Sequence, residues 1–275
     1  MDIETLDQKI NLHFSGKVVR KDLTKAIKGN SVVPTYVLEY LLGQYCATDD
    51  EESIQSGIER VKKILAEHFV HRKESKLVQS NIREKGNHRV IDKVTVELNP
   101  SRDVYEATFM NLGLKKIKIG SDFARKHPKL LVGGIWCIVD LKYEATDEKG
   151  LQPWILEMLK PIQVSNFDDK QYLLARAEFE TEEWLDFLMQ SIGLNPEMLS
   201  HRAKLLQLIR LIPFCERNYN LIELGPKGTG KSHVFSEFSP HGILVSGGEI
   251  TVAKLFVNNA NAKVGLVGFW DSVAF

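Results

Sequence analysis

Residues 225–232 read GPKGTGKS, and this stretch decides more about the fold than any other part of the 275-residue chain. It matches the pattern G-x-x-x-x-G-K-[ST], in which a glycine-rich loop joins a strand to a helix and binds phosphate groups. The flanking sequence agrees, because the apolar run 220–224 can form the strand and residues 232–238 can open the helix. The sequence therefore predicts a nucleotide-binding loop within an α/β domain.

The residue types in this loop fit contact with ATP and Mg²⁺. Glycine tolerates positive φ, so backbone N–H groups can turn toward phosphate oxygens, and the start of the following helix adds a favourable field. Lys231 is the predicted catalytic residue, in contact with the β- and γ-phosphates, and the Ser232 hydroxyl is predicted to coordinate the Mg²⁺ of the nucleotide. The alternative is an ordinary glycine-rich turn, which the agreement of motif and context disfavours. The predicted ATP-binding residues are Gly225, Pro226, Lys227, Gly228, Thr229, Gly230, Lys231 and Ser232.

An ATPase of this class also needs a second strand that ends in an acidic residue. Residues 264–275 are predicted to form an apolar strand, and Asp271 could be that acid. The better interpretation is that residues 272–275 begin the hydrophobic run that precedes an acid pair, which this sequence does not reach. We therefore expect the 275-residue chain to bind nucleotide weakly and to lack hydrolytic activity.

The spacing of apolar residues divides the rest of the sequence into helical and extended segments. Apolar spacings of three and four predict a helical module at the start of the chain, and a period of two from residue 87 predicts five short strands with one small helix between them. Five such strands indicate a small OB-like barrel, although a β-sandwich fits nearly as well. The predicted helices lie near 5–14, 36–45, 51–69, 122–127, 181–192 and 196–214, and the predicted strands near 90–98, 104–112, 115–119, 130–143 and 154–164.

These patterns predict an α+β multidomain fold with three parts. A helical N-terminal module takes up 1–75, a β-rich OB-like barrel with a candidate DNA-binding role takes up 76–166, and 167–275 holds linker helices and the first part of an incomplete P-loop α/β domain. The apolar fraction of 43% and the equal numbers of acidic and basic residues, 36 each, argue against disorder. An acidic N-terminus predicts a cytoplasmic protein without a membrane span. Three widely spaced cysteines, Cys46, Cys137 and Cys215, agree with this and are predicted to be buried, reduced thiols.

Positive charge is concentrated between residues 60 and 93, where ten Lys or Arg residues stand against four Asp or Glu residues. A basic segment beside a small barrel suits contact with the phosphates of duplex DNA. A solvated surface explains the same charges about as well. A second basic stretch, 17–28, is better explained as solvated surface. The candidate DNA-binding residues are Arg72, Lys73, Arg83, Lys85 and Arg89.

Once the loop is placed, nearly the whole chain resembles the Lon-protease-like AAA+ proteins of BREX phage-defence systems. The segments that carry the resemblance are VVPTYVLEYLLGQYCATDDEESIQSGIERVKKIL (from 32), NIREKGNHRVIDKV (from 81), HPKLLVGGIWCIVDLKYE (from 127), WILEMLKPIQ (from 154), ELGPKGTGKSHVFSEFSPHGILVSGGEITVAKLF (from 223) and GLVGFWDSVAF (from 265).

The resemblance implies an N-terminal DNA-binding region, an AAA+ ATPase and a Lon-like C-terminal domain. It also implies ring-shaped oligomers on duplex DNA, action with other BREX components, and a phosphate-binding role for Gly225 to Ser232. Two alternatives stay open. One is an ATP-dependent protease whose N-terminal region recognises protein substrates, and the other is a non-enzymatic DNA-binding or assembly module.

Overall fold

The computed structural model describes residues 5–28, 33–131, 133–146, 152–162, 168–245, 250–260, 263–268 and 270–275. The chain forms two compact units. The helical unit comprises 1–62, 164–248 and 270–275, and the sheet unit comprises 63–163 and 249–269. Within the described ranges, no helix has both the length and the apolar character that crossing a membrane requires. The predicted domain limits after residues 75 and 166 stay predictions.

Every predicted helical segment contains a helix, but the predicted helix 196–214 is divided into a 3-10 turn and two helices, and the helices at 21–28, 75–85 and 169–177 were not predicted. In chain order the helices are α1 Leu6–His13, α2 Lys21–Lys28, α3 Thr35–Gly43, α4 Glu51–His68, α5 Ser75–Lys85, α6 Ser121–Lys126, α7 Asp169–Ala177, α8 Thr181–Ser191, α9 His201–Ile209, α10 Ile212–Cys215, α11 Lys231–Glu237 and α12 Val252–Leu255. Single 3-10 turns lie at Arg72–Glu74, Pro128–Leu131, Pro196–Met198 and Leu266–Gly268.

The strands are grouped in one large sheet and two short pairs. They are β1 Asn87–Asn99, β2 Val104–Phe109, β3 Ile117–Ile119, β4 Ile135–Tyr143, β5 Trp154–Pro161, β6 Gly242–Leu244, β7 Val257–Asn258, β8 Lys263–Val264 and β9 Ser272–Ala274. The large sheet has the order β3-β2-β1-β4-β5, and all its neighbouring strands are antiparallel. Its outer strands β3 and β5 also contact each other, so the sheet is curled.

An aromatic cluster holds part of the helical unit together. Helix α1 begins after Thr5, whose side chain accepts a hydrogen bond from the Gln8 backbone while the Gln8 side chain accepts one from the Thr5 backbone. This reciprocal cap satisfies two backbone donors that a helix start leaves open. The last turn then places Phe14 in a cluster with four rings at centroid distances of 5.3–6.0 Å, those of Tyr172, Phe179, Trp184 and Phe187.

The core of the sheet unit comes from the alternation of side chains along the strands. In β1, Val90, Val94 and Val96 are fully buried, whereas Glu97 is exposed. Side chains two residues apart share one face of a strand, and Asp92 belongs to the same buried face. The predicted period of two describes the burial only in part, because Ile91 on the other face is also buried and Leu98 is 49% exposed. The predicted mixture of helices and short antiparallel strands, including the small helix α6, is confirmed.

Some predicted strand limits were wrong, and one glycine explains the largest error. Strand β4 begins at Ile135 rather than at residue 130, because residues 128–131 form a 3-10 turn and Gly134 has φ +70°. A residue with positive φ cannot continue a pleated strand. Strand β2 ends at Phe109 rather than at 112, and β5 ends at Pro161, while residues 163–164 lie outside the described ranges.

The two strands predicted around the phosphate-binding loop also differ from expectation. Residues 220–224 form no strand, and Ile222 and Leu224 are 87% and 91% exposed. A strand requires a hydrogen-bonded neighbour, and within the described residues none pairs with this segment. The predicted apolar strand 264–275 is interrupted by the 3-10 turn at Leu266–Gly268 and only resumes as β9.

Asp92 is a buried carboxylate that organises the β2–β3 connection. Its side chain is fully buried, and its oxygens accept hydrogen bonds from the backbone N–H groups of Lys93 (2.7 Å), Asn111 (3.0 Å) and Leu112 (2.8 Å). Burial raises the pKa of Asp92 to about 6, because desolvation outweighs these hydrogen bonds. The carboxyl group therefore binds a proton more tightly in the folded protein than in the unfolded chain.

This pKa predicts a measurable pH dependence of stability. Because the folded-state pKa of Asp92 lies above the unfolded value, its contribution to the free energy of unfolding falls as pH rises through about 6. Urea denaturation of the wild type and of Asp92→Asn should give a stability difference that shifts by about 2 kcal/mol between pH 4.5 and pH 7. Groups that titrate in the same way in both proteins contribute equally to the two free energies of unfolding and do not affect their difference. A difference that stays constant over this range would contradict the prediction.

Candidate functional site

The predicted phosphate-binding loop lies exposed at the start of a helix in the helical unit. Residues 225–230 are all exposed, and α11 begins directly after them at Lys231, as the sequence predicts. Gly228 and Gly230 have φ of +83° and +78°. Side chains with a Cβ rarely adopt these angles, so the backbone path explains why glycine stands at both positions.

The Lys231 ammonium group lies against the loop itself. Its Nζ donates to the carbonyl oxygens of Gly225 (2.9 Å) and Pro226 (2.5 Å) and to the Thr229 hydroxyl (3.1 Å). The Thr229 hydroxyl also donates to the Pro226 carbonyl at 3.2 Å. These contacts place a positive charge within the curve of the loop, where an anionic group would interact with it most strongly.

Ser232 occupies the position expected for a Mg²⁺ ligand of a bound nucleotide. The residue is exposed in the first turn of α11, and among the described residues its hydroxyl has no hydrogen-bond partner. Mg²⁺ in nucleotide sites keeps several waters and takes few protein ligands besides phosphate oxygens. A free hydroxyl beside a lysine-bearing loop therefore fits a Mg²⁺–nucleotide, for which Ser232 would supply one oxygen ligand.

An arginine that the sequence analysis did not select touches both ends of the loop. Arg210, which follows α9, donates from Nε and Nη2 to the two carboxylate oxygens of Glu223 at 2.9 and 2.5 Å. Its Nη1 donates to the Thr229 carbonyl oxygen at 3.1 Å and to Gln207 Oε1 at 2.5 Å. No motif marks this residue, because its partners are brought to it by tertiary folding.

The acid considered near the end of the chain has a different neighbour. β6 and β9 form a parallel pair, and His241 and Asp271 lie just before these two strands. Asp271 Oδ2 is 3.4 Å from His241 Nδ1, and both side chains are about half exposed. The structure thus places Asp271 beside a histidine, and its interpretation as a Mg²⁺-site acid stays untested.

The structure separates the five candidate DNA-binding residues into two groups within the sheet unit. Arg83 lies over the Tyr143 ring at 6.0 Å, and Arg89 forms a bidentate ion pair with Asp140 at 2.7 and 2.9 Å, so both lie against the end of β4. Lys85 stands between them at the end of α5. The ion pair raises the pKa of Arg89 and lowers the pKa of Asp140.

Arg72 and Lys73 form the second group, at the opposite end of α5. They lie in the 3-10 turn before the helix, and eleven residues of α5 span roughly 16 Å. All five candidate residues are exposed. Arg89 has the carboxylate partner Asp140. Within the described parts of the chain, no carboxylate forms an ion pair with the other four, which are Arg72, Lys73, Arg83 and Lys85.

The second basic stretch, 17–28, has a different environment. Arg20 pairs with Asp22 at 2.7 Å and also with Glu51, Lys21 pairs with Glu39, and Lys28 Nζ lies 2.7 Å from Glu237. Charges that are already neutralised attract phosphate weakly. For Arg20, Lys21 and Lys28 this agrees with the interpretation as protein surface, whereas Lys17 donates to Gln171 and Lys25 has no carboxylate partner among the described residues.

The three cysteines are free thiols, as expected, but they do not share one environment. Cys46 and Cys137 are buried, whereas Cys215 is exposed, contrary to the expectation that all three are buried. Desolvation raises the pKa of the Cys137 thiol, and the nearby Asp92 charge adds to the effect.

Comparison with known proteins gives consistent matches over most of the chain. Residues 12–143 match the family model described as the N-terminal region of the BREX system Lon protease-like protein BrxL, and residues 154–275 match the ATPase domain of Lon-like protease BrxL-like proteins. The chain is 52% identical over 274 residues to Lon-like protease BrxL of Bacillus cereus (strain H3081.97), a match that covers 99% of this chain and 40% of the relative.

A second relative supports the same comparison. The chain is 49% identical over 270 residues to Lon-like protease BrxL of Escherichia coli O9:H4 (strain HS), a match that covers 98% of this chain and 39% of that protein. The chain thus spans about two fifths of the length of these relatives. Both matches include the loop at residues 225–232 and the basic segment at residues 60–93.

Proposed function

Because the chain belongs to the family of Lon-like BrxL proteins of BREX systems, we propose that it forms the DNA-binding and nucleotide-binding part of an AAA+ ATPase in phage defence. The full-length protein would act as a ring-shaped oligomer on duplex DNA, in the cytoplasm, together with other BREX components. The observations that carry this proposal are an exposed glycine-rich loop with a lysine in one unit and, in the other unit, exposed cations that have no carboxylate partner among the described residues.

Support for nucleotide binding comes from the loop residues. Lys231 provides the cation and Ser232 the free hydroxyl, while the positive φ angles of Gly228 and Gly230 leave the backbone open to close approach. When bound, ATP with Mg²⁺ would supply the phosphoryl group for hydrolysis. The task of the described residues is to bind and orient the phosphates, because phosphoryl transfer depends chiefly on positioning and on charge stabilisation.

Support for DNA binding comes from the sheet unit. A curled sheet of five antiparallel strands, in which the outer strands β3 and β5 contact each other, supports the proposal of an OB-like barrel. OB barrels bind oligonucleotides with one sheet face and with the loops that flank it. In this unit Arg83, Lys85 and Arg89 lie around the end of β4, beside the connection to β5.

The contrast between the two basic stretches favours the sheet unit as the DNA surface. In the stretch 17–28, Arg20, Lys21 and Lys28 are ion-paired, whereas Arg83 and Lys85 have no carboxylate partner among the described residues. When surface cations without a carboxylate partner contact DNA phosphates, they displace the counterions that are condensed on the DNA. This counterion release provides most of the affinity that does not depend on DNA sequence.

The name Lon-like protease of both relatives favours a second candidate function. In that alternative the N-terminal region would recognise a protein substrate, and ATP hydrolysis would drive its proteolysis. The two candidates differ in what the sheet unit binds. Binding of duplex DNA with a steep salt dependence supports the first function, and an absence of DNA binding at low salt supports the second.

The DNA proposal predicts an effect of two neutralising substitutions. In Arg83→Gln/Lys85→Gln, affinity for a labelled duplex should fall about tenfold, and the slope of log K against log salt should become shallower by about two, since each lost phosphate contact removes about 0.9. Fluorescence anisotropy at several salt concentrations measures both quantities. Arg89→Gln should have a smaller effect, because Asp140 already engages that guanidinium.

The double variant Arg20→Gln/Lys21→Gln provides the matched control. It removes the same number of positive charges, but from cations that Asp22, Glu51 and Glu39 already neutralise. We expect its DNA affinity and salt slope to match those of the wild type. Equal losses in the two double variants would show that only net charge matters and would move the DNA site away from the end of β4.

A further inference from the structure

We propose that Arg210 is a positioning residue that holds the phosphate-binding loop in its binding shape before nucleotide arrives. This inference rests on the proposed nucleotide-binding function, which it deepens by adding a residue outside the motif. Arg210 makes none of the expected phosphate contacts. It would act through the loop backbone, and its loss should weaken binding of any nucleotide whose phosphates enter the loop.

The Arg210 guanidinium connects the two ends of the loop. Glu223 stands two residues before Gly225 and receives a two-pronged ion pair, while Thr229, near the other end, receives the bond from Nη1 to its carbonyl oxygen at 3.1 Å. A Cβ added at Gly230 would lie 3.9 Å from the same Nη1. One rigid, planar group therefore fixes the separation between the entry and the exit of the loop.

The bond to Thr229 also sets the direction of a backbone donor. No cis peptide bond occurs among the described residues, so the C=O of Thr229 and the N–H of Gly230 lie in one peptide plane and point in opposite directions. With the carbonyl oxygen held by Arg210, the Gly230 N–H is turned away from the arginine. Backbone N–H groups that are oriented in this way form the anion-binding concavity of such loops.

The surroundings of Arg210 distinguish it from a surface ion pair. Its side chain is only 11% exposed, against 30% for Glu223, and Gln207 Oε1 accepts a further hydrogen bond from Nη1. A partly buried, two-pronged pair with additional hydrogen bonds keeps one geometry, whereas exposed pairs exchange partners. Lysine could not replace it, since a single ammonium nitrogen cannot reach Glu223 and Thr229 in this forked arrangement.

The test compares Arg210→Lys and Arg210→Gln with Arg202→Gln, an exposed arginine in the same segment of chain. Titration with ADP and Mg²⁺ should show a dissociation constant about tenfold higher for both Arg210 variants, because binding must then order the loop. Hydrogen exchange of the backbone amides of residues 228–232 should be faster in the nucleotide-free Arg210 variants, and saturating ADP should restore protection. Arg202→Gln should behave as the wild type in both measurements.

Each outcome decides a separate point. Wild-type affinity and wild-type loop exchange in both Arg210 variants would overturn the positioning role, and a uniform rise in exchange throughout the helical unit would show that Arg210 only stabilises the fold. Full rescue by Arg210→Lys would show that charge suffices and would also overturn it. A wild-type chain that fails to bind ADP would overturn the proposed function instead. Hydrogen exchange of the nucleotide-free loop would then still measure how strongly Arg210 orders the loop.

Discussion

Replacing Lys231 by alanine is expected to weaken binding of ADP and Mg²⁺ about a hundredfold while the protein stays folded. Lys231 is the cation that the loop surrounds, and a charge-assisted hydrogen bond to phosphate contributes about 1.5–3 kcal/mol. Among the described residues, its Nζ hydrogen-bonds to exposed loop atoms of Gly225, Pro226 and Thr229, so the stability of the fold depends on it little. Isothermal titration gives the affinity, and thermal unfolding gives the stability.

Lys227→Ala is the control that this loop itself offers. Lys227 lies two residues after Gly225, is exposed, and has no ion-pair partner among the described residues. The substitution Lys227→Ala removes one positive charge from the same loop, as Lys231→Ala does, but at a position where the motif accepts any residue. We expect the affinity of this variant for ADP to change less than about threefold, because interactions of a single exposed charge are weak in water. A similar loss in both variants would mean that the loop attracts anions only through its net charge.

The substitution Gly134→Ala is expected to lower the free energy of unfolding by about 3 kcal/mol, because two costs act together. A φ of +70° costs an L-residue about 1–2 kcal/mol, and an added Cβ would lie 2.4 Å from Thr95 Cγ2 and 2.6 Å from the Val94 carbonyl oxygen. The Thr95 methyl group could rotate away, but the Val94 carbonyl belongs to β1, which is paired on both sides. Chemical denaturation at pH 7 measures the loss.

Gly113→Ala separates these two costs. Gly113 has a similar φ of +73°, but no atom lies within 4 Å of the place where its Cβ would stand. It should therefore show only the conformational cost, about 1 kcal/mol. Equal destabilisation at both glycines would show that β1 moves to make room at Gly134, and the close approach of the two segments would then contribute nothing to stability.

The amino-acid sequence was sufficient for features that depend on neighbours in the chain. The helix predicted near residues 5–14 from its apolar spacing corresponds to α1. The buried positions Val94 and Val96 of β1 follow from alternation along one strand. The loop at residues 225–230 and the helix after it follow from a local motif whose glycines need special φ angles. Each of these depends on short-range geometry, which a sequence pattern records directly.

Errors arose where a segment depends on partners far away in the chain. Residues 220–224 have the composition of a strand, yet no described strand pairs with them, and composition cannot supply a hydrogen-bonding neighbour. β4 begins five residues later than predicted, because the chain at Gly134 passes close to Val94, some forty residues earlier. A sequence pattern does not contain such approaches.

The charged residues show most clearly which features the sequence determines and which features depend on the tertiary structure. The sequence by itself determined that a lysine-bearing, glycine-rich loop matches the phosphate-binding motif and that cations gather between residues 60 and 93. Only the tertiary structure decided that Arg20 and Lys21 are paired with carboxylates, that Arg83 and Lys85 have no carboxylate partner among the described residues, and that Arg210 joins Glu223 to Thr229. The physical reason is that electrostatic interactions depend on distance and burial, which arise when the chain folds and brings distant residues together.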